Sequence, residues 1–256
     1  MHIGSKATLI AMLAAMISVS SLGRASRLYA GITMGVTLAG KGVCRPTFKV
    51  DGDSYAAGTA FQVSGARPLL LTAHHVFGPD GGLARPVSWQ DMPAHAQLVS
   101  CEPIWTGKPL SGGRAIAIPG AHSMSPADQS GAINDIAVFR AVFRPLPGNR
   151  LARSLKLAAS PAKVGDQVFL LASPQGSASF VHTARVVSLR NGALLFAYLN
   201  PKLDLQGTSG GPIVDLDGKV VGLNLGGGYD DEAKTVIGIA DDLGVLTRAI
   251  AAARAH

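Results

Sequence analysis

Gly207-Thr208-Ser209-Gly210-Gly211-Pro212 sets a serine inside a glycine-rich turn, where its hydroxyl and the backbone N–H groups of Gly207 and Ser209 can face one reacting carbonyl. A nucleophile and a pair of oxyanion donors then share one loop, which is what acyl transfer asks of a protein. Two upstream segments offer the partners such a serine needs. Leu71-Thr72-Ala73-His74-His75-Val76 ends an apolar run in imidazoles, and Asn134-Asp135-Ile136-Ala137-Val138 opens another with a carboxylate. His, Asp, Ser is a triad order found on one of the folds that carry this chemistry. Asp128 is the nearest rival carboxylate, but it sits in a Ser-Pro-Ala-Asp-Gln-Ser run with no apolar strand behind it.

On these segments the chain resembles the chymotrypsin-like serine proteases, most nearly the bacterial high-temperature-requirement (Deg-type) and related trypsin-like peptidases. The likeness runs from about Gly58 to Ala240 and includes Val164-Gly165-Asp166-Gln167-Val168, Pro174-Gln175-Gly176, Gly222-Leu223-Asn224 and Ile237-Gly238-Ile239-Ala240. It implies an all-β fold of two six-stranded antiparallel barrels and a serine endopeptidase acting on proteins or peptides through an acyl-enzyme. His75, rather than His74, aligns with the family's base. Asp135 then fixes its tautomer, Ser209 attacks, and the N–H groups of Gly207 and Ser209 form the oxyanion hole. That route needs no cofactor and no metal.

Two positions depart from the animal digestive enzymes. Thr208 stands where those enzymes carry an Asp that pairs with a new N-terminus, and a neutral hydroxyl cannot make that ion pair. His74 stands where the family has a small residue or Asn, and reads as a packed core group or a perturber of His75. The same alignment puts Leu203 at the floor of the substrate pocket, with Gly226, Gly227 and Gly238 on its walls, which implies a small or medium apolar P1 side chain. A slip of one residue would bring Asp204 to that floor instead.

Composition agrees with a compact sheet protein. Only 15% of the residues are charged, 47% are hydrophobic, and 31 Gly with 15 Pro supply many tight turns. Of the formal charge of +7, Lys6, Arg24 and Arg27 supply three in the first 30 residues, leaving a scattered +4. No basic run interleaved with aromatics appears, which argues against a nucleic-acid partner. Residues 1–30 have the anatomy of a targeting signal: Lys6, an uncharged apolar stretch from Ala7 to about Val19, then small residues. Read as a cleaved signal peptide the leader sends the chain to the periplasm or medium; read as an uncleaved anchor it tethers the chain to a membrane. Cys44 and Cys101 lie beyond it, as a disulfide in an oxidising compartment or as two buried thiols.

Turn signals divide residues 31–256 into a first barrel at about 43–145, a second at about 160–240 and a helix at about 241–253. The predicted strands of the first are 60–63, 68–72, 95–99 and 136–139, with 107–131 read as a surface excursion and 151–163 as the crossover. The second contains 167–172, 183–189, 193–199, 212–215, 220–225 and 235–240, with Asn191-Gly192 and Asp217-Gly218 as hairpin turns. Asp241 or Asp242 would cap the helix, whose apolar stripe is Leu243, Leu246 and Ile250. Gly-Thr-Ser-Gly-Gly also fits the nucleophile elbow of α/β hydrolases. That fold needs its acid and histidine after the serine, and the terminal His256 is the only histidine there. The remaining functional alternative is a protease-like domain that binds without catalysing.

Overall fold

The computed structural model describes residues 31–65, 67–105, 109–124, 133–140, 154–174 and 179–255. The leader, Asp128, most of the Pro174-Gln175-Gly176 turn and His256 lie outside these residues.

Two closed antiparallel barrels make up the described chain. The first is built from β1 (Val43–Val50), β3 (Ala60–Val63), β4 (Leu69–Ala73), β5 (Ala96–Pro103), β6 (Leu110–Ile116) and β7 (Ile136–Arg140), with β2 (Asp53–Ala56) added as a hairpin on β1. Its strands run in the order β1-β3-β4-β7-β6-β5, and pairing of β1 with β5 closes it. The second is built from β8 (Gln167–Leu171), β9 (Val181–Arg190), β10 (Ala193–Tyr198), β11 (Pro212–Val214), β12 (Val220–Asp230) and β13 (Thr235–Asp242), in the ring β10-β13-β12-β11-β8-β9. Helices α1 (Met34–Ala39), α2 (Met92–His95) and α3 (Leu243–Ala255) lie outside the barrels.

Most strands follow from runs of apolar residues between turn residues. At the β9–β10 turn, Asn191 and Gly192 both take positive φ, 51° and 81°, the type I′ geometry that suits the twist of paired strands. Strands β1, with Arg45, Pro46 and Lys49 among its residues, and β2, mostly polar, are not apolar runs and were not among the expected strands, and neither was β6. Its Gly112 and Gly113 make Leu110–Ile116 read as a surface loop, yet it is a barrel stave between β5 and β7. A Cβ on Gly112 would lie 1.6 Å from the Leu98 carbonyl oxygen, and one on Gly113 1.6 Å from that of Arg140. Close backbone approach, not a turn, is what demands glycine there.

Smaller corrections concern His95 and Asp241. His95 ends α2 instead of opening a strand. Asp242 caps α3, its Oδ1 accepting the Val245 N–H at 2.9 Å, while Asp241 is a fully buried residue of β13.

The first barrel is filled by Phe48, Phe77 and Phe139, whose ring centroids lie 4.7–5.6 Å apart. Cys44 and Cys101 are bonded across the β1–β5 seam, with Cα atoms 5.4 Å apart. Residues 154–158 cross between the halves, bridging Leu155 to Val63 and Leu157 to Val220. Arg45 of β1 adds a polar tie, donating to both the carbonyl and the hydroxyl of Ser173 at 2.8 Å.

Candidate active site

His75 sits in a tight turn, His74–Phe77, that directly continues β4. Val76 and Phe77 are buried in the first-barrel core, so the turn is held by apolar packing on its far side. Antiparallel pairing of β4 with β7 sets Ala73 opposite Ile136, and the His74 N–H donates to the Asp135 carbonyl at 3.1 Å. The register of two strands thereby brings residues 60 positions apart into contact.

Asp135 is fully buried, and its carboxylate accepts three hydrogen bonds. Its Oδ1 takes the main-chain N–H of His75 at 2.8 Å; its Oδ2 takes the imidazole Nδ1 at 2.9 Å and the Met124 N–H at 2.9 Å. Burial pushes this carboxyl upward, but the His75 charge, its ring hydrogen bond and the two backbone donors outweigh burial and hold it below the usual value of 3.8. An ionised carboxylate only accepts, so Nδ1 carries the ring proton and Nε2 is left as an acceptor. That Nε2 is buried and has no hydrogen-bond partner among the described residues.

His74 is a packed group, 3% exposed. Its Nδ1 lies 3.5 Å from the Ser123 hydroxyl. Burial lowers it below the ordinary 6.5, reinforced by His75 and His122 and opposed by Asp135.

The Ser209 turn belongs to the second barrel but is fastened to the first. Gly210 has φ +86°, and a Cβ there would lie 2.3 Å from both the Thr59 carbonyl oxygen and the Thr72 hydroxyl. Only glycine fits this crossing. The Thr59 hydroxyl donates to the Gly207 carbonyl at 2.8 Å, and that of Thr72 to the Thr59 carbonyl at 2.8 Å. Thr208, fully buried, donates through its hydroxyl to the Leu205 carbonyl at 2.7 Å and accepts from Asn224 Nδ2 at 3.0 Å. Neutral hydrogen bonds thus hold the turn where an ion pair does so in the digestive enzymes. The Gly207 and Ser209 N–H groups donate to no described residue. The Ser209 hydroxyl is directed at the Leu225 carbonyl, 3.4 Å away, and makes no hydrogen bond to His75.

His75, Gly207 and Ser209 line one cleft of about 340 Å³, together with Leu205, Gly226 and Gly227 of the second barrel, Asp80 and Asp204. Two of the expected pocket residues are elsewhere. Leu203 packs in the second-barrel core, and Gly238 lies against Phe196, whose ring would be 2.3 Å from a Cβ on it. Leu205, two residues on, supplies the apolar wall in place of Leu203. Asp204 does reach the cleft, where its Oδ1 accepts the Gln206 N–H at 2.9 Å. Among the described residues no group of three or more His, Cys, Asp or Glu side chains could hold a metal ion.

Thr59, Thr72, Asn224 and the Met124 N–H carry functions that motif reading does not assign. Thr72 and Asn224 leave a trace, being polar residues in otherwise apolar strands, and Thr59 does so directly before one; a backbone N–H leaves none.

Residues 58–223 match the family model of the trypsin-like peptidase domain, which does not single out the Deg-type branch. Among solved structures the chain is similar to Rv3671c of M. tuberculosis. An inactive form of a serine-to-alanine mutant shares 19% identity over 89% of this chain and 97% of that one, with a TM-score of 0.51. The active form of the same protease shares 20% over 90% and 92%, with a TM-score of 0.53. At these identities the likeness establishes the fold. No curated protein matches the sequence.

Proposed function

Because the chain belongs to the trypsin-like peptidase family, a serine protease that hydrolyses proteins or peptides, we propose that its catalysis runs through Ser209, His75 and Asp135. Ser209 Oγ attacks the substrate carbonyl while His75 Nε2 takes its proton, and the same proton then passes to the leaving amine. The negative charge on the tetrahedral oxygen is met by the unengaged N–H groups of Gly207 and Ser209. Water, deprotonated by His75, releases the acyl group and restores Ser209. Asp135 stays ionised throughout and holds the imidazole in its Nδ1–H form. The observation that carries this reading is the doubly bonded, fully buried His75–Asp135 pair opening onto the cleft that also holds Ser209.

In the resting arrangement the Ser209 hydroxyl donates to the Leu225 carbonyl and not to His75. This favours, as a second reading, a domain that binds peptides without cleaving them. Rotation about one side-chain bond on substrate binding reconciles the arrangement with catalysis, since such contacts commonly tighten only in the substrate complex. A serine-directed phosphonate decides: wild type is labelled and Ser209→Ala is not, whereas folded wild type that resists labelling leaves the binding module.

For specificity we propose a small or medium apolar P1 side chain, supported by Leu205 and by Gly226, where an added methyl group would meet no atom within 4 Å. Cleavage of peptides varied at P1 tests it, and dominant cleavage after Lys or Arg would assign the role to Asp204. The leader supports an exported protein, periplasmic or secreted, or an anchored one. N-terminal sequencing of the mature protein separates cleavage from anchorage.

A further inference from the structure

We propose that Asp241 is a positioning residue for the reaction: from the second barrel its carboxyl grips the main chain of Asp135 and thereby fixes the acid that orients His75. The inference rests on the triad reading above and extends it to a residue for which that reading has no role.

Asp241 lies near the end of β13, fully buried, with its Oδ1 accepting the Asp135 N–H at 3.3 Å. Its Oδ2 has no partner among the described residues. The contact spans 106 residues and crosses the seam between the barrels. It is part of a wider clasp on the strand entry that carries Asp135. Ile133 N–H donates to the Asn191 carbonyl at 3.1 Å, and that turn is itself held to β13 by the Asp242 N–H donating to the Gly192 carbonyl at 2.7 Å. His74, on the other side, donates its N–H to the Asp135 carbonyl. Asp135 is thus held at its N–H, its carbonyl and both carboxyl oxygens.

Two fully buried carboxyls this close cannot both ionise cheaply. The groups facing Asp241 are Asp135, Asp242 on its own strand and Arg248 on α3. Burial, then repulsion by Asp135 and Asp242, raises it well above 3.8, against the pull of the Asp135 N–H and Arg248. Asp135 has three donors and keeps the charge; Asp241 keeps the proton. A neutral carboxyl grips an N–H through its carbonyl-type oxygen without adding a second negative charge beside the triad.

Asparagine reproduces that state in shape and charge, so Asp241→Asn and Asp241→Ala separate the roles. Asp241→Asn keeps the wild-type kcat, whereas Asp241→Ala loses roughly 10- to 100-fold in kcat with KM little changed, the scale of a small misplacement of a reacting group. The downfield proton resonance of the His75–Asp135 hydrogen bond persists in Asp241→Asn and broadens in Asp241→Ala. Stability gives a readout independent of activity. A raised carboxyl holds its proton when the unfolded chain has released it, so wild type loses stability relative to Asp241→Asn as pH rises above about 4. A folded Asp241→Ala with wild-type kcat and resonance overturns the proposal. So does an Asp241→Asn variant that is folded but impaired, or one whose relative stability falls as pH rises, which is the sign of an ionised Asp241 paired with Arg248. If Asp241→Ala does not fold, Asp241→Asn alone decides. If wild type cleaves nothing, the triad reading fails by itself, and resonance and stability still judge Asp241.

Discussion

The Ser209 carbonyl accepts the Thr59 N–H at 2.7 Å, so the turn bearing the second-barrel hydroxyl is fixed to the residue that immediately precedes β3, the first strand of the hairpin that leads to His75. Ser209 and His75 come from different barrels, and this bond, with the Thr59 hydroxyl on the Gly207 carbonyl, ties the two segments together without any charged group.

Thr59→Val keeps the shape of that side chain and removes its hydroxyl. The carbonyl of Gly207, an exposed residue, then loses its protein donor, and a hydrogen bond of this kind typically contributes about 0.5–1.5 kcal/mol. We expect a drop in unfolding free energy of that order and a fall in kcat, because the peptide next to the proposed oxyanion donors is freed to turn. Thr59→Ser, which restores the hydroxyl, should recover most of the kcat. Urea titrations and peptidase kinetics on the two variants check both parts.

Asp135→Asn should leave a folded protein with kcat lower by about 10⁴, the typical loss when the imidazole takes the wrong tautomer. It should also change acid stability. The folded carboxyl sits below 3.8, so its contribution is present above that value and disappears as pH falls through the lower folded one. In the variant this acid-limb loss is absent, which equilibrium unfolding at several acidic pH values measures directly.

The barrels and the segments that carry His75, Asp135 and Ser209 were legible because each rests on a local pattern: apolar runs between turn residues, and polar side chains at their ends. The second barrel, with Asn191-Gly192 and Asp217-Gly218 marking its hairpins, shows all six strands in sequence. Strand β6 escaped because glycine serves two physical purposes, turning and close approach, and sequence does not distinguish them. Leu203 escaped because a pocket floor depends on which way one residue faces, and the chain before Ser209 turns Leu203 inward and Leu205 to the cleft. Asp241 beside Asp242 looked equally fit to cap α3; only tertiary contact with Asp135 separates them.

Opening the Cys44–Cys101 bond should weaken the first barrel at the seam that closes it. The bond spans 57 positions, and on the chain-entropy model such a loop stabilises by about 4 kcal/mol. We expect the Cys44→Ala, Cys101→Ala double variant to unfold at lower urea by a corresponding margin, with KM little changed if the cleft keeps its shape. A double variant as stable as wild type would show that β1–β5 pairing closes the barrel unaided.

His74 should make stability fall on mild acidification. Its folded value is lowered from 6.5 by burial, then by His75 and His122, with Asp135 pulling the other way. Near and below 6.5 the unfolded chain therefore takes up a proton that the folded protein refuses. Stability is fully present above 6.5 and declines as pH falls toward the lower folded value, by at most about 1.4 kcal/mol per pH unit for one histidine. His182 is lowered too, chiefly by burial, with hydrogen bonds at Ala172 and Ser179 opposing, and adds a term of the same sign. His74→Leu should flatten part of the slope below about pH 6.5 and His182→Leu another part, both superimposed on the opposite contributions of Asp241 and His95, whose folded values are raised. Asp135 does not contribute above 3.8, since its loss begins below that value. Urea midpoints of wild type and the two variants between these pH values separate the two histidines. An unchanged slope in His74→Leu would mean that the folded protein protonates His74 as readily as the unfolded chain does.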